Sequence, residues 1–245
     1  MRRFFIQDEI IDEVALCDQD SYHIIKVLRM NIGDEVIVVD TNAKIAKCNI
    51  ISIDNNIVVV KLKNYLEDNT EAPINLILAQ ALPKGDKMDF IVQKAVELGV
   101  VEIQPLIMEN CVVKYDDNKK IQRQVKWQKI ANEAAKQCGR TIIPEVKPII
   151  TLKEFLPILS NECQKIVCYE AENNTGIKKV LDNSCYTDYC IFIGPEGGFS
   201  PKEIKLCNDN LCHSITLGPR ILRTETAALA AATIVLYHKG DLGGF

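Results

Sequence analysis

The N-terminal part of the chain alternates short apolar runs with polar breaks, the rhythm of β structure. Arg3 to Ile6 reads as a short strand, and Glu35 to Asp40, Ile45 to Ile53 and Ile57 to Leu62 are rich in Ile and Val. Thr41-Asn42-Ala43-Lys44 and Asp54-Asn55-Asn56 separate them as hairpin-type linkers. Asp20 to Met30 has the spacing of a short helix, with His23, Ile24, Val27 and Leu28 on one face. Asn31-Ile32-Gly33-Asp34 is a turn by composition. Short strands joined in this way favour a small closed barrel, because closure removes exposed edges.

Asn64 to Asn75 is polar, acidic and broken by Pro73, which predicts a linker. Beyond it strands alternate with helices, the pattern of a parallel sheet. Ile74 to Ala81, Val100 to Leu106, Lys165 to Tyr169, Tyr189 to Ile193 and Ser214 to Leu217 are the strands expected. Lys87 to Leu98 reads as a helix with Met88, Ile91, Val92, Ala95 and Leu98 inward and Gly99 as its stop. In Ile121 to Cys138, a long helix, Trp127, Ile130, Ala131, Ala134, Ala135 and Cys138 recur at three-four spacing. Thr151-x-x-Glu154 is a capping box, and Gly176 to Leu181 is a brief helix. Ser200-Pro201-Lys202-Glu203 combines an N-cap serine, a proline at the first helical position and a capping-box glutamate. Thr224 is the expected N-cap of a final helix, Glu225 to His238, whose many alanines give it a slim envelope. The domains expected are therefore 1–70, a β barrel, and 73–245, an α/β domain.

Composition adds bounds. A chain of 245 residues with 47% hydrophobic and 25% charged residues is ordinary for a globular protein. No apolar run approaches the roughly 20 residues that span a bilayer, and Asp8 and Glu9 interrupt any signal-peptide core, so a cytoplasmic location is expected. Ten cysteines include three pairs with four intervening residues: Cys163/Cys168, Cys185/Cys190 and Cys207/Cys212. Structural zinc prefers tighter pairs with histidine nearby, and only three histidines exist, so no metal is expected and the thiols read as small apolar side chains. A net charge of −4 leaves room for a local basic face, for which Arg2, Arg3, Lys26, Arg29, Lys44 and Lys47 are available.

The chemistry concentrates in two loops, each placed between an apolar strand and a helix start. They are Gly194-Pro195-Glu196-Gly197-Gly198-Phe199-Ser200 and Leu217-Gly218-Pro219-Arg220-Ile221-Leu222-Arg223-Thr224-Glu225. Glycine lets backbone amides and carbonyls approach a ligand closely, and open α/β sheets bind ligands at the carboxyl ends of their strands. The dinucleotide fingerprint G-x-G-x-x-G is absent, as are a phosphate loop and a G-x-S-x-G nucleophile elbow. From the residues alone the chain is a ligand-binding α/β domain with an attached β module.

Several segments in order resemble one family. Besides the two loops, these are Arg2-Arg3-Phe4-Phe5, His23 to Arg29 with Gly33-Asp34, Lys84-Gly85-Asp86-Lys87-Met88-Asp89 running to Gly99, and Trp127 to Arg140. Together they look like the RsmE family, SPOUT-class methyltransferases of small-subunit ribosomal RNA, and the similarity covers nearly the whole chain. The resemblance implies a PUA-like β barrel followed by a SPOUT domain, a parallel α/β sheet with a C-terminal trefoil knot. It also implies S-adenosylmethionine as methyl donor, a homodimer through the knotted region, and methylation at N3 of a uridine in the decoding region of 16S ribosomal RNA.

Carried over residue by residue, the cofactor is held by Tyr169, Ile193, Gly194, Pro195, Glu196, Gly197, Gly198, Leu217, Gly218, Leu222 and Thr226. Arg223, with Arg220 second, is expected to stabilise the charge left on uracil when its proton departs. Glu225 and Glu196 are candidates for the proton acceptor, each with a structural alternative: Glu225 complements a helix dipole and Glu196 braces its loop. Arg2, Arg3, Lys26 and Arg29 form the expected RNA face. One departure stands out: Asn110 occupies a position where the family usually carries Arg. The other readings are a catalytically silent RNA-binding dimer, or a SPOUT methyltransferase acting on another RNA position.

Overall fold

Strand pairing changes from one sheet to another across the expected linker. The computed structural model describes residues 3–67 and 70–243, so Arg2 lies outside the described residues. The chain divides into two compact units, Met1–Glu71 with Ala135–Ile142, and Ala72–Ala134 with Ile143–Phe245. Residues 135–142, which the sequence reading leaves in the second domain, group with the first.

The first unit holds β1 (Arg3–Phe5), β2 (Glu13–Ala15), α1 (Asp18–Tyr22), a π-helical turn (His23–Leu28), β3 (Glu35–Val39), β4 (Ile45–Asp54) and β5 (Ile57–Leu66). They form one five-stranded sheet in the order β1-β3-β4-β5-β2. Alternate residues of the strands, such as Val36, Val38, Cys48, Ile50, Val58 and Val60, join Phe4, Ile10, Leu16 and Ile24 in its core. The β4–β5 hairpin turns on Asn55 and Asn56, both at positive φ (49° and 65°), which a tight hairpin turn demands and asparagine tolerates. Register shifts at Lys47/Cys48 and Ile50/Ser52 bend the β4–β5 ribbon.

The expected helix over Asp20 to Met30 is broken into α1 and the wider turn. Arg29, at φ 54°, closes that turn by donating its amide to the Ile24 carbonyl five residues back. The extra residue per turn rotates the apolar face: Ile24 is fully buried, but Val27 and Leu28 are 58% and 42% exposed.

Two ion pairs fasten the 135–142 segment within this unit. Lys136 meets Asp20 at 2.6 Å, both nearly buried. Glu71 takes the Arg140 guanidinium on one oxygen, while the other accepts from the Thr141 amide (2.7 Å), the Thr141 hydroxyl (3.1 Å) and the Ile142 amide (3.2 Å). Thr70 donates to the Gly139 carbonyl at 2.9 Å.

The second unit contains β6 (Asn75–Ala81), α2 (Lys87–Leu98), β7 (Glu102–Ile107) and α3 (Asp117–Cys138), whose last turn belongs to the first unit. There follow β8 (Glu145–Val146), β9 (Ile150–Thr151), α4 (Leu152–Phe155), β10 (Cys163–Cys168), α5 (Ile177–Asp182), β11 (Asp188–Ile193), α6 (Pro201–Asp209), β12 (His213–Ile215) and α7 (Thr224–His238). The sheet is parallel throughout, in the order β12-β10-β11-β6-β7-β8, with β9 also on β7. Its central strands are mostly apolar on both faces, as helix-covered parallel strands are, with Gln80 a buried polar exception on β6. Both expected capping boxes form, at Thr151/Glu154 and Ser200/Glu203, and Gly99 ends α2 at φ 111°. Trp127 is buried and donates its indole N–H to Asp89 at 3.0 Å. Strand β7 runs past Pro105, which pairs with Gln80, to Ile107. All ten cysteines are free thiols, six of them buried; burial raises the Cys163 thiol to about 11 and Cys168 to about 12.

Helix α7 follows the edge strand β12, yet it packs on α2, β6 and β11 in the middle of the sheet. The loop between them therefore carries the chain back across β10.

Replacing Arg140 by Ala should leave the Glu71 carboxylate buried without its cation. Removing one partner of a buried pair costs about 3–5 kcal/mol, and denaturant titration at neutral pH should show a loss of that order. Burial alone would raise the Glu71 carboxyl, but Arg140 and the Thr141 and Ile142 amides hold it below its ordinary 4.5. The pair's contribution is thus complete above pH 4.5 and fades as pH falls through the lowered folded value. A wild-type-minus-variant difference that does not shrink on acidification would reject this account.

Candidate functional site

Four strand ends and their loops meet at one end of the second sheet, after β6, β10, β11 and β12. The loop after β11 is tightly packed. A Cβ on Gly194 would lie 3.0 Å from the Phe199 ring, and one on Gly197 would lie 2.9 Å from the Asn110 Cβ. Gly198 turns at φ 68°, with its amide on the Pro195 carbonyl at 2.9 Å. Asn110 clamps the turn from outside, its amide nitrogen donating to the carbonyls of Gly197 (3.0 Å) and Gly198 (3.1 Å). Glu203, besides capping α6, accepts from the Glu109 amide at 2.8 Å, so the segment after β7 is fixed to this loop twice. Tyr169, just past β10, sets its ring edge-on against Phe199 at 6.4 Å and donates its amide to the Ile215 carbonyl at 3.0 Å.

The loop after β12 is more open. Thr216 closes its start by hydrogen bonds with the Gly218 amide and carbonyl, both 3.2 Å, with Gly218 at φ 125°. Leu217 and Leu222 are half-buried, whereas Arg220, Ile221 and Arg223 face solvent.

Thr224 is not the N-cap. Arg223 holds that position, without a side-chain cap bond, and Thr224 is the first helical residue, 5% exposed. Its hydroxyl donates to the Gly194 carbonyl at 2.7 Å and accepts from the Gln80 side-chain amide at 2.9 Å. An N-cap residue turns its side chain onto its own helix; here a buried carbonyl just past β11 and a buried amide on β6 compete for the hydroxyl and win.

A second tie lies at the surface. The Lys87 ammonium reaches Glu196 at 3.0 Å and Glu225 at 3.1 Å, and Glu196 also accepts from the Lys84 amide at 3.1 Å. Partial burial would raise both carboxyls, but backbone amides and Lys87 hold each below the ordinary 4.5. Hydrogen bonds to the two carboxylates raise the Lys87 ammonium. Both acids are therefore ionised and committed at neutral pH.

The structure brings Tyr169, Ile193, Gly194, Pro195, Glu196, Gly197, Gly198, Leu217, Gly218 and Leu222 to this end of the sheet. Thr226 is placed differently: it lines an open groove of about 440 Å3 on α7 with Phe90, Leu229, Ala230 and Ile234, and of the two loops only Glu225, at the helix start, reaches that groove. In the first unit Lys26 and Arg29 are exposed on the π turn, but Arg3 is 5% exposed with its guanidinium toward Thr70. Burial at β1 turns Arg3 away from the expected RNA face. Lys87, Asn110, Gln80 and Glu170 were not foreseen as site residues; Lys87 carried a signal in the Lys84–Asp89 segment and Asn110 as a departure from the family, whereas Gln80 and Glu170 carried none. Among the described residues no cluster of three or more His, Cys, Asp or Glu could hold a metal ion.

Residues 70–236 match the RNA methyltransferase domain family and residues 16–63 the RNA methyltransferase PUA domain family. The chain is 33% identical to ribosomal RNA small subunit methyltransferase E of Bacillus subtilis, covering 100% of this chain and 99% of that protein. It also resembles a crystal structure of ribosomal RNA small subunit methyltransferase E from Neisseria gonorrhoeae bound to S-adenosyl methionine, with TM-score 0.86, 32% identity and 96% of each chain covered. A Legionella pneumophila protein solved with the bound cofactor SAM matches at TM-score 0.84 and 34% identity, over 95% of this chain and 96% of that one.

Thr224→Val keeps the shape of the side chain and deletes the hydroxyl. The Gly194 carbonyl and the Gln80 amide then lose a buried partner, at a cost of about 1–3 kcal/mol. Thermal denaturation should show that loss for Val and little for Thr224→Ser; equal stability of Val variant and wild type would dismiss the hydroxyl's role.

Proposed function

The chain belongs to the ribosomal RNA small subunit methyltransferase E family, and on that premise we propose that it methylates N3 of a uridine in the decoding region of 16S ribosomal RNA, with S-adenosylmethionine as donor. The observation that carries the reading is the cradle at the end of β11. At Gly194, Gly197 and Gly198 a side chain would meet Phe199, Asn110 or Glu170, so the main chain itself forms the wall. Such a wall suits an adenosine, whose flat base takes backbone donors and acceptors along its edge. Ile193, Gly194, Pro195, Glu196, Gly197, Gly198, Leu217, Gly218, Leu222 and Tyr169 would hold it, and Thr226, on the α7 groove, has the weaker case.

When bound, the cofactor supplies an electrophilic methyl group on a sulfonium. The protein's task is to place the uracil in line with it and to stabilise the negative charge that spreads over the uracil carbonyls as the N3 proton leaves. Arg223, exposed at the helix start, is the guanidinium assigned to that charge, with Arg220 second. A carboxylate with a lowered pKa is a weak proton acceptor, so Glu225 and Glu196 serve better as anchors for Lys87. The proton then leaves through solvent.

The remaining parts of the reading follow the same family. The N-terminal unit is taken as a PUA-like barrel that presents Lys26 and Arg29 to RNA, and the division falls near residues 70–73. The return of α7 from the edge strand to the sheet centre supports a trefoil knot of SPOUT type. The α7 groove with half-exposed Phe90 supports a homodimer through that region. Among the described residues no helix is long and apolar enough to cross a membrane, in keeping with a cytoplasmic enzyme.

Incubating the protein and labelled S-adenosylmethionine with small ribosomal subunits from a strain lacking this activity should yield labelled 3-methyluridine. Another labelled nucleoside, or none, would refute the reading. Arg223→Ala should lower turnover roughly a hundredfold with calorimetric cofactor affinity unchanged, and wild-type turnover in that variant would strip Arg223 of its role.

A further inference from the structure

Most acids around the loops already have partners. Glu172 accepts from the Asn174 and Thr175 amides at 2.7 and 3.0 Å. Glu203 is shared between Ser200 and Glu109, and Glu196 and Glu225 hold Lys87. Glu170 differs. It is exposed, it follows Tyr169 at the carboxyl end of β10, and among the described residues it makes no hydrogen bond or ion pair. Its carboxylate nevertheless lies over the glycine cradle: a Cβ built on Gly198 would overlap Oε1 and sit 2.9 Å from Cδ.

An ionised carboxylate accepts hydrogen bonds only, through two oxygens that can face two donors at once. Placed at a strand end beside a glycine turn, it matches the position from which dinucleotide folds hold a ribose. We propose that Glu170 binds the ribose of S-adenosylmethionine, its two oxygens accepting from the vicinal 2′- and 3′-hydroxyls. This rests on the reading that the glycine loops hold that cofactor. Tyr169 and the Gly197–Gly198 backbone border the slot assigned to the adenine, and the ribose is the group bonded directly to that base. In the cofactor's covalent order the methionine ammonium is joined to the base only through the sulfonium and the ribose. Gly198 is then required twice over, for its left-handed backbone and for the room its missing side chain leaves the carboxylate. A site built to hydrogen-bond a hydroxyl rejects an analogue that lacks it, since the carboxylate is left without its partner.

The test is calorimetry on the full chain with S-adenosylmethionine, S-adenosylhomocysteine and the 2′-deoxy form of the latter. Glu170→Gln should bind both ribose ligands roughly tenfold or more weakly, and wild type should discriminate against the deoxy ligand by a comparable factor. In the Gln variant that discrimination should shrink, because the two changes remove one interaction. Matching melting curves would exclude a folding defect, and the deoxy comparison on wild type needs no variant at all. Undiminished affinity in Glu170→Gln, or a wild type indifferent to the 2′-hydroxyl, overturns the proposal while leaving the cofactor assignment standing. A full loss of the deoxy ligand's affinity in the variant would show the carboxylate reading another part of the cofactor, and overturns it too. Failure of wild type to bind S-adenosylmethionine would overturn the cofactor reading itself, and this inference with it.

Discussion

The Thr224 hydroxyl, donating to Gly194 and accepting from Gln80, is the contact on which the site depends. It joins three segments far apart in sequence: the end of β6, the turn after β11 and the start of α7. Each partner is buried, so each would be costly to leave unsatisfied. The consequence is geometric as much as energetic. With the first turn of α7 pinned to the Gly194 carbonyl, the loop from Thr216 to Arg223 must span from the edge strand to the sheet centre, and Arg223 is delivered beside the glycine turn.

A second set of ties works at lower cost and nearer solvent. Lys87 holds Glu196 and Glu225, and Asn110 holds the carbonyls of Gly197 and Gly198. Exposed ion pairs contribute little to stability, but here they set loop position, which matters more to a ligand than a fraction of a kcal/mol does. Asn110 does this because a short amide reaches two carbonyls at once and braces the turn.

Much of this was legible in the sequence because it is local. The span of α2 and its glycine stop, both capping boxes, and the strands before each glycine loop follow from spacing and from residues within a turn of one another. What escaped is set by distant partners or by backbone choices that side-chain periodicity does not encode. Thr224 looks like an N-cap because serine and threonine favour that place, and nothing near it reveals a carbonyl thirty residues upstream in wait for its hydroxyl. The π turn at His23–Leu28 inserts a residue into a good helical pattern and so exposes Val27 and Leu28. The attachment of residues 135–142 to the first unit rests on Glu71 and Asp20, which as isolated letters read as surface acids.

The pairing of acids also narrows what chemistry the site can perform. Two carboxylates tied to one ammonium, each below its ordinary pKa, are ill suited to remove a proton from uracil, whereas an exposed guanidinium at a pinned helix start is well suited to stabilise the anion left behind. Such an enzyme gains its rate from placement and charge stabilisation more than from a tuned base. That division of labour explains why so much of the local hydrogen bonding is spent on holding loops, and why Glu170, which makes no hydrogen bond or ion pair among the described residues, stands where a ligand's hydroxyls can supply one.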